Sequence, residues 1–331
     1  MLSLSDYDYS LPKELIAQEP LKDRSKSRLM VLFKDKIEHR RFFEVVEYLN
    51  KGDTLVINDS KVIPAKLKGR KPTGGKIEVL LLKEIEKNVW ECLIRGKNLK
   101  EGTKLIFKDI EGKIIKRDRK FVVEFNVEDM RAYLEKHGEV PLPPYIKKEL
   151  KEKNRYQTIY ARKEGSIAAP TAGLHFSKEL LNEIRKKGIN IAPITLHVSI
   201  GTFAPVRSQD ITKHKMEAEY FEISKESAEI INKTKGKVIA VGTTVVKALE
   251  SSSRNGEVVP LHGWSDLFIY PPYEFNSPIK AMITNFHLPK STLLMLVCAF
   301  AGRERIFKAY RQAIAEKYRF YSFGDAMLIF K

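Results

Sequence analysis

The middle of this chain changes its hydrophobic period, and that change limits the available folds more than any other feature. Residues 77–82, 89–94, 104–107, 113–116 and 121–125 are short apolar or alternating stretches rich in Val, Ile, Leu and Phe. Gly74-Gly75, Gly96, Gly102 and Gly112 punctuate them, and no helix-period segment falls between. Strands this closely spaced leave no room for crossover helices, so they cannot form a parallel sheet; they predict a small closed barrel. On both sides of this region the pattern is α/β. The N-terminal part predicts helices at 12–18 and 42–49, with strands at 29–33 and 54–57, the latter ending at Asn58-Asp59. A helix at 128–137 and the stiff run Pro141-Leu-Pro-Pro144 close the central region. Beyond it, Ser177 is a suitable N-cap for a helix at 178–187 that stops at Gly188. Strands are expected at 189–195, 220–223, 238–241, 267–270, 281–284 and 326–330, and helices at 227–233, 245–251, 293–301 and 305–317. The expected fold class is α/β: a discontinuous α/β domain of residues 1–60 plus 156–331, into which residues 61–155 insert a small Greek-key-like β-barrel.

The longest apolar run, residues 293–301, is half the length a membrane-spanning helix needs, so no membrane association is expected. The first residues, MLSLSDYDYS, lack the basic-then-apolar pattern of a secretory leader. Two cysteines, Cys92 and Cys298, lie far apart in apolar segments and read as reduced buried thiols. A cytoplasmic chain is the expectation. Net charge is +17, and residues 61–155 hold 25 Lys+Arg against 15 Asp+Glu, leaving +7 for the other 236 residues. A cationic field of this kind attracts polyanions through counterion release, although a Lys/Glu-rich thermophile surface would also carry many charges.

Five segments carry residue types suited to chemistry. Ala168-Ala-Pro-Thr-Ala-Gly-Leu-His-Phe176 offers Gly173 for close backbone approach, Thr171, and His175 for proton exchange; a tight turn with a packed histidine is the plainer account. Thr195-Leu-His-Val-Ser-Ile-Gly-Thr-Phe203 places His197 on a strand, where a satisfied core histidine is expected, and Thr202 in the loop after it. Arg207, His214, Glu217 and Glu219 then form an ionisable group that a solvated face would also explain. Val241-Gly-Thr-Thr244 lies between a buried strand and a helix, the position where α/β sheets present free N–H groups to ligands. It has neither the spaced glycines of a dinucleotide fingerprint nor the lysine of a P-loop. Thr284-Asn-Phe-His-Leu-Pro-Lys-Ser-Thr292 gathers Asn285, His287, Lys290 and the N-cap Ser291 ahead of an apolar helix. Residues 318–325 interleave aromatics, including Tyr321, with Arg319 and Asp325. No metal-ligand spacing and no G-x-S-x-G elbow occurs.

Taken together, these segments resemble the S-adenosylmethionine:tRNA ribosyltransferase-isomerases of queuosine biosynthesis. The resemblance runs through Asp8-Tyr-Ser-Leu-Pro-Lys-Glu-Leu-Ile-Ala17, Asp23-Arg24 and Leu55-Val-Ile-Asn-Asp-Ser-Lys-Val-Ile-Pro-Ala65. It continues through Pro141-Leu-Pro-Pro-Tyr-Ile146 and Ala169-Pro-Thr-Ala-Gly-Leu-His-Phe176 to the segments 283–295 and 318–328. The family usually has glycine where this chain has Ser199, and often histidine where it has Glu217.

The resemblance implies S-adenosylmethionine as co-substrate, with no permanently bound cofactor and no metal. The implied partner is a tRNA with a GUN-type anticodon carrying 7-aminomethyl-7-deazaguanine at the wobble position. The ribosyl group would be transferred and isomerised, giving epoxyqueuosine, adenine and methionine. Such chemistry needs a base for the C5′ protons acidified by the sulfonium, and an acid for the departing adenine. His175 is the first candidate for proton transfer, with His214 or Glu219 as the second group. Asn58, Asp59, Thr171, Gly173, Thr202, Arg207, Gly242, Thr243, Thr244, Asn285, His287, Lys290, Tyr321 and Asp325 are candidate substrate contacts. Lys116, Arg117, Arg119 and Lys120 in the insert are candidate tRNA-phosphate contacts. A tRNA methyltransferase would use the same cofactor but release S-adenosylhomocysteine, and a non-catalytic RNA-binding protein would explain the charge but not the polar loops.

Overall fold

The computed structural model describes every residue except Met1, Glu149, Lys151, Ala204, Pro205 and Arg207. The chain forms two compact units, one of residues 1–61 with 143–331 and the other of residues 62–142. Residues 143–155, read from the sequence as part of the insert, cluster with the first unit.

The first unit is built on a nine-stranded mixed sheet. Its centre is four adjacent parallel strands, Asn190–Leu196, Thr54–Asn58, Val238–Val241 and Ile279–Asn285. Thr54–Asn58 and Val238–Val241 are buried at every position, as expected of strands covered on both faces. Alternate residues feed two cores: Val56 packs on one face, Leu55 and Ile57 on the other. The helices Lys225–Asn232, Thr243–Ser252, Thr292–Ala301 and Arg303–Ala315 bury their apolar sides in the first core, and Lys178–Lys186 buries its own in the second. Outside the parallel centre, Ala326–Phe330 runs antiparallel to Ile279–Asn285, and Arg28–Leu32 and Ile37–Arg41 complete that side. Glu219–Ile223 and Leu261–Ser265 complete the other.

Two expectations fail in this unit. The strand expected at 267–270 is absent; the edge strand is instead Leu261–Ser265, whose Leu261 and Trp264 are exposed. An edge strand with little burial carries no apolar alternation, so the apolar run beyond it attracted the assignment. The helices expected at 12–18 and 42–49 are 3₁₀ turns, Lys13–Leu15 and Phe42–Tyr48.

The second unit is a closed barrel of six antiparallel strands: Lys66–Arg70, Lys76–Glu86, Val89–Arg95, Lys104–Ile106, Glu111–Arg117 and Phe121–Asn126. Lys104–Ile106 returns beside Lys66–Arg70, outside the first three hairpin-connected strands, which makes a Greek key. Leu67, Val79, Leu81, Cys92, Leu105, Ile114 and Val123 fill the interior. The helix Met130–His137, capped by Asp129, adds Met130, Tyr133 and Leu134 to that core. Lys66–Arg70 escapes the sequence pattern because only Leu67 in it is buried. Its Gly69 leaves no room for a side chain, since a Cβ there would lie 2.7 Å from the Ile106 carbonyl oxygen.

Candidate functional site

The four parallel strands end at Leu196, Asn58, Val241 and Asn285. Ligands of open α/β sheets bind beyond such carboxyl ends, where loops and helix N-termini expose backbone groups that the sheet no longer pairs. A cavity of about 230 Å³ opens there within the first unit, and most of its wall is apolar. Three loops supply the floor: 169–172, 242–244 and 284–291. Tyr145, Val198, Thr202, Tyr321 and Ser322 close the sides. The cavity has room for far more than a single water.

Asn285 is the hub of the polar wall. Its Oδ1 accepts from Thr171 Oγ1 at 3.1 Å, and its Nδ2 donates to His175 Nε2 at 3.1 Å and to the Tyr321 carbonyl at 3.2 Å. With Nε2 accepting, the proton of His175 sits on Nδ1 and is donated to Ser27 Oγ at 2.8 Å. His175 is buried and stacked on Phe42, and burial, reinforced by Arg319 and Arg24, pushes it down to about 3. It is a neutral ring with both nitrogens engaged. It lies behind Asn285 and does not line the cavity.

His287 is different. It lines the cavity, Nε2 is 2.9 Å from Thr284 Oγ1, and Nδ1 has no hydrogen-bond partner among the described residues. Its backbone is fixed at both ends, the N–H donating to Tyr310 Oη and the carbonyl accepting from Tyr9 Oη. Burial pushes its imidazole down to about 3 as well. Depending on which way the Thr284 hydroxyl turns, Nδ1 presents a proton or a lone pair, so the ring can give or take a proton.

The helix Thr243–Ser252 starts at the cavity behind Gly242, whose φ of +97° is a conformation suited to glycine. The N–H groups of Thr243 and Thr244 have no acceptor among the described residues and form an anion-accepting end. Two non-glycine residues on the wall, Lys290 (φ 58°) and Tyr321 (φ 73°), also hold left-handed backbone, at about 1–2 kcal/mol each. Lys290 pairs with Asp8 at 2.6 Å. Tyr321 lies against Tyr145, with ring centroids 4.3 Å apart, and its hydroxyl is buried with no hydrogen-bond partner. An unpaired buried hydroxyl on a cavity wall is a group that a ligand can satisfy.

The structure thus brings Thr171, Thr202, Gly242, Thr243, Thr244, Asn285, His287, Lys290 and Tyr321 to one cavity. The other candidates lie elsewhere, for identifiable reasons. Asn58 uses its amide to clamp the neighbouring strand, accepting from the Leu196 and Ser60 N–H groups and donating to the Leu196 carbonyl. Asp59 accepts from Thr195 Oγ1 and pairs with Arg162 at 3.0 Å. A Cβ on Gly173 would lie 2.1 Å from Tyr160 Oη, so that glycine serves packing. Asp325 accepts from the N–H groups of Arg28 and Arg319. Glu219 accepts from the Ser199 N–H and Thr202 Oγ1 and pairs with buried Lys247 at 3.0 Å. His214 packs edge-on against Phe268, and burial lowers its pKa. None of these six lines the cavity. Arg207 falls outside the described residues. Ser199 and Glu217 touch each other, Ser199 Oγ donating to Glu217 Oε2 at 3.5 Å. Sequence reading missed Tyr145, Phe286 and Ser322 on the wall. For Tyr145, the signals were the rigid Pro143-Pro144 before it and its place in the family-like run 141–146.

The two depressed histidines carry a measurable consequence. An unfolded histidine titrates near 6.5, while the folded rings hold out to about 3. Between those values the unfolded chain binds more protons, so stability falls as pH falls through this window and is fully present only above about 6.5. Each ring contributes up to about 1.4 kcal/mol per pH unit. Urea unfolding at pH 4, 5 and 6 should therefore show a slope shallower by about that amount in His287→Asn. Equal slopes in the two proteins would mean that His287 is protonated while folded.

Among the described residues, no helix is long and apolar enough to cross a membrane, and no cluster of three or more His, Cys, Asp or Glu could hold a metal ion. The profile of a family described as "Queuosine biosynthesis protein" matches residues 4–329. An S-adenosylmethionine:tRNA ribosyltransferase-isomerase of Sulfurihydrogenibium sp. (strain YO3AOP1) is 56% identical, the alignment covering 99% of this chain and 100% of the relative. One of the same name from Desulforamulus reducens is 54% identical at the same coverage. The crystal structure of an S-adenosylmethionine tRNA ribosyltransferase from Thermotoga maritima is similar with a TM-score of 0.57 and 40% identity, covering 98% of this chain and 99% of that one.

Proposed function

Because the chain belongs to the queuosine biosynthesis protein family, we propose that this cavity is where S-adenosylmethionine gives up its ribosyl group to a tRNA base. Family membership makes the chain an S-adenosylmethionine:tRNA ribosyltransferase-isomerase. The acceptor in our reading is 7-aminomethyl-7-deazaguanine at the wobble position of a GUN-type anticodon, with epoxyqueuosine, adenine and methionine as products. One observation carries the assignment of the site: three loops spread over more than a hundred residues of sequence converge on a mostly apolar cavity with a few fixed polar groups.

The free N–H groups of Thr243 and Thr244 suit the methionyl carboxylate of the co-substrate. The Tyr145–Tyr321 pair offers aromatic faces to the sulfonium or to adenine, and the Tyr321 hydroxyl gains the partner it lacks. His287 is the imidazole that faces the reacting groups and exchanges protons with them. His175 positions Asn285, and Glu219 positions Thr202. In the barrel, Arg117 donates to the Leu99 carbonyl and Lys120 pairs with Glu91. That leaves Lys116 and Arg119, both exposed, as its more available phosphate contacts.

Mass spectrometry of the small molecules formed from S-adenosylmethionine and tRNA bearing the aminomethyl base tests this reading. Adenine and methionine in equal amounts are expected. S-adenosylhomocysteine would indicate methyl transfer instead, and unconsumed co-substrate would remove the catalytic assignment.

A further inference from the structure

A second concavity of the first unit has a different character. Lys34, Arg303, Arg305, Lys308 and Arg311 line it, against Asp6 and Glu304, a surplus of three positive charges. Asp6 is committed to Arg303 at 3.7 Å. Lys34, Lys308 and Arg311 are exposed and have no ion-pair partner among the described residues. Arg305 donates to the Phe330 carbonyl but keeps a buried Nε–H with no acceptor. Arg303, Arg305 and Lys308 also crowd the first two turns of the helix Arg303–Ala315, the end at which the backbone dipole favours negative charge. Lys34, Lys308 and Arg311 add positive charge here without an ion pair among the described residues to offset it. A bound polyanion would relieve both the mutual repulsion and the conflict with the dipole.

The groove is tied to the cavity through one short segment. Asp6 lines the groove, Asp8 pairs with Lys290 on the cavity wall, and Tyr9 donates to the His287 carbonyl. Asp6 and Asp8 are two residues apart, so their backbones lie within about 7 Å of each other. We propose that this groove grips the phosphate backbone of the tRNA roughly 15 Å from the nucleotide held in the cavity, along the helix Thr292–Ala301 that starts at the cavity and ends before Arg303, so that the α/β unit holds the RNA backbone as well as the base. Resting as it does on the reading of the cavity, the assignment makes the free cations position the strand while the cavity reads the base.

The test is fluorescence anisotropy of substrate tRNA with the full-length protein across a salt series. Lys34→Ala/Lys308→Ala/Arg311→Ala removes the three unpaired cations. The control, Lys51→Ala/Lys186→Ala/Lys235→Ala, removes the same charge from exposed lysines that precede the strands Thr54–Asn58, Asn190–Leu196 and Val238–Val241 and line neither the groove nor the cavity. Six exposed positions are changed in all, and matching melting curves show that folding is intact. The groove variant is expected to bind about tenfold or more weakly, with a log–log salt slope shallower by about 2, as three lost contacts to a single strand require. Its calorimetric affinity for S-adenosylmethionine should hold. Binding within twofold of the parent, or an equal loss in the control, overturns the assignment. Neither result touches the cavity reading, which is tested separately by the turnover of a His287→Ala protein.

Discussion

Replacing His287 with Ala is expected to lower turnover by about 10²- to 10⁴-fold, the range a positioned proton-transfer group supplies. His287 is the one imidazole on the cavity wall among the described residues, and no carboxylate lines that wall. Its neutral ring can pass a proton from either tautomer because Thr284 Oγ1 can donate to Nε2 or accept from it. Thr284→Val removes that switch and should give a smaller loss of the same kind, in kcat and not in KM. His175→Ala should act differently. It leaves an Asn285 N–H unpaired in a buried site, so it loosens the bridge from Asn285 to the separate segments that carry Thr171 and Tyr321, and KM for S-adenosylmethionine should rise. His175→Gln, which can still accept from Asn285, should restore part of that loss, whereas a proton-transfer group would not be rescued this way. Single-turnover rates with calorimetric affinities separate the two outcomes. Near-parental turnover in His287→Ala would remove it from the chemistry.

Where the two histidines stand explains how far the sequence could be read. Strands of the sheet centre announce themselves because burial on both faces makes them continuous apolar runs, as in Thr54–Asn58 and Val238–Val241. Edge strands such as Ile37–Arg41 are half exposed, and their pattern is set by solvent. The site loops were visible because glycine and small polar residues cluster after strands. Which polar side chain turns into the cavity was not visible. His175 and His287 sit in comparable loops and share the same depressed titration, yet one faces Asn285 and the other the open space. Asn58, Asp59, Glu219 and Asp325 satisfy neighbouring backbone and hydroxyl groups, a use that the same residue types serve as readily as ligand binding. Only tertiary contacts distinguish the two uses.

One of those positioning groups makes the largest expected stability effect. Glu219 and Lys247 are 4% and 7% exposed at the side chain, and their ion pair is closed by donors from Ser199 and Thr202. Lys247→Met keeps the apolar stem but strands a carboxylate in the core, which costs about 3–5 kcal/mol when one partner of a buried pair is removed. The melting temperature should fall by roughly 6–20 °C on the scaling for domains of this size. Changing both partners, Glu219→Gln with Lys247→Met, should recover most of the loss, because Gln still accepts from Ser199 and Thr202 without an unpaired charge. The pair also links stability to the site. Lys247 lies one turn inside the helix whose first N–H groups face the cavity, and Glu219 holds Thr202, which also lines it. The single variant should therefore bind S-adenosylmethionine more weakly even where it remains folded, and the double variant should bind it nearly as the parent does. A single variant within 1 kcal/mol of the parent, or a double variant no better than the single, would show that the ion pair does not hold Thr202 and this helix together.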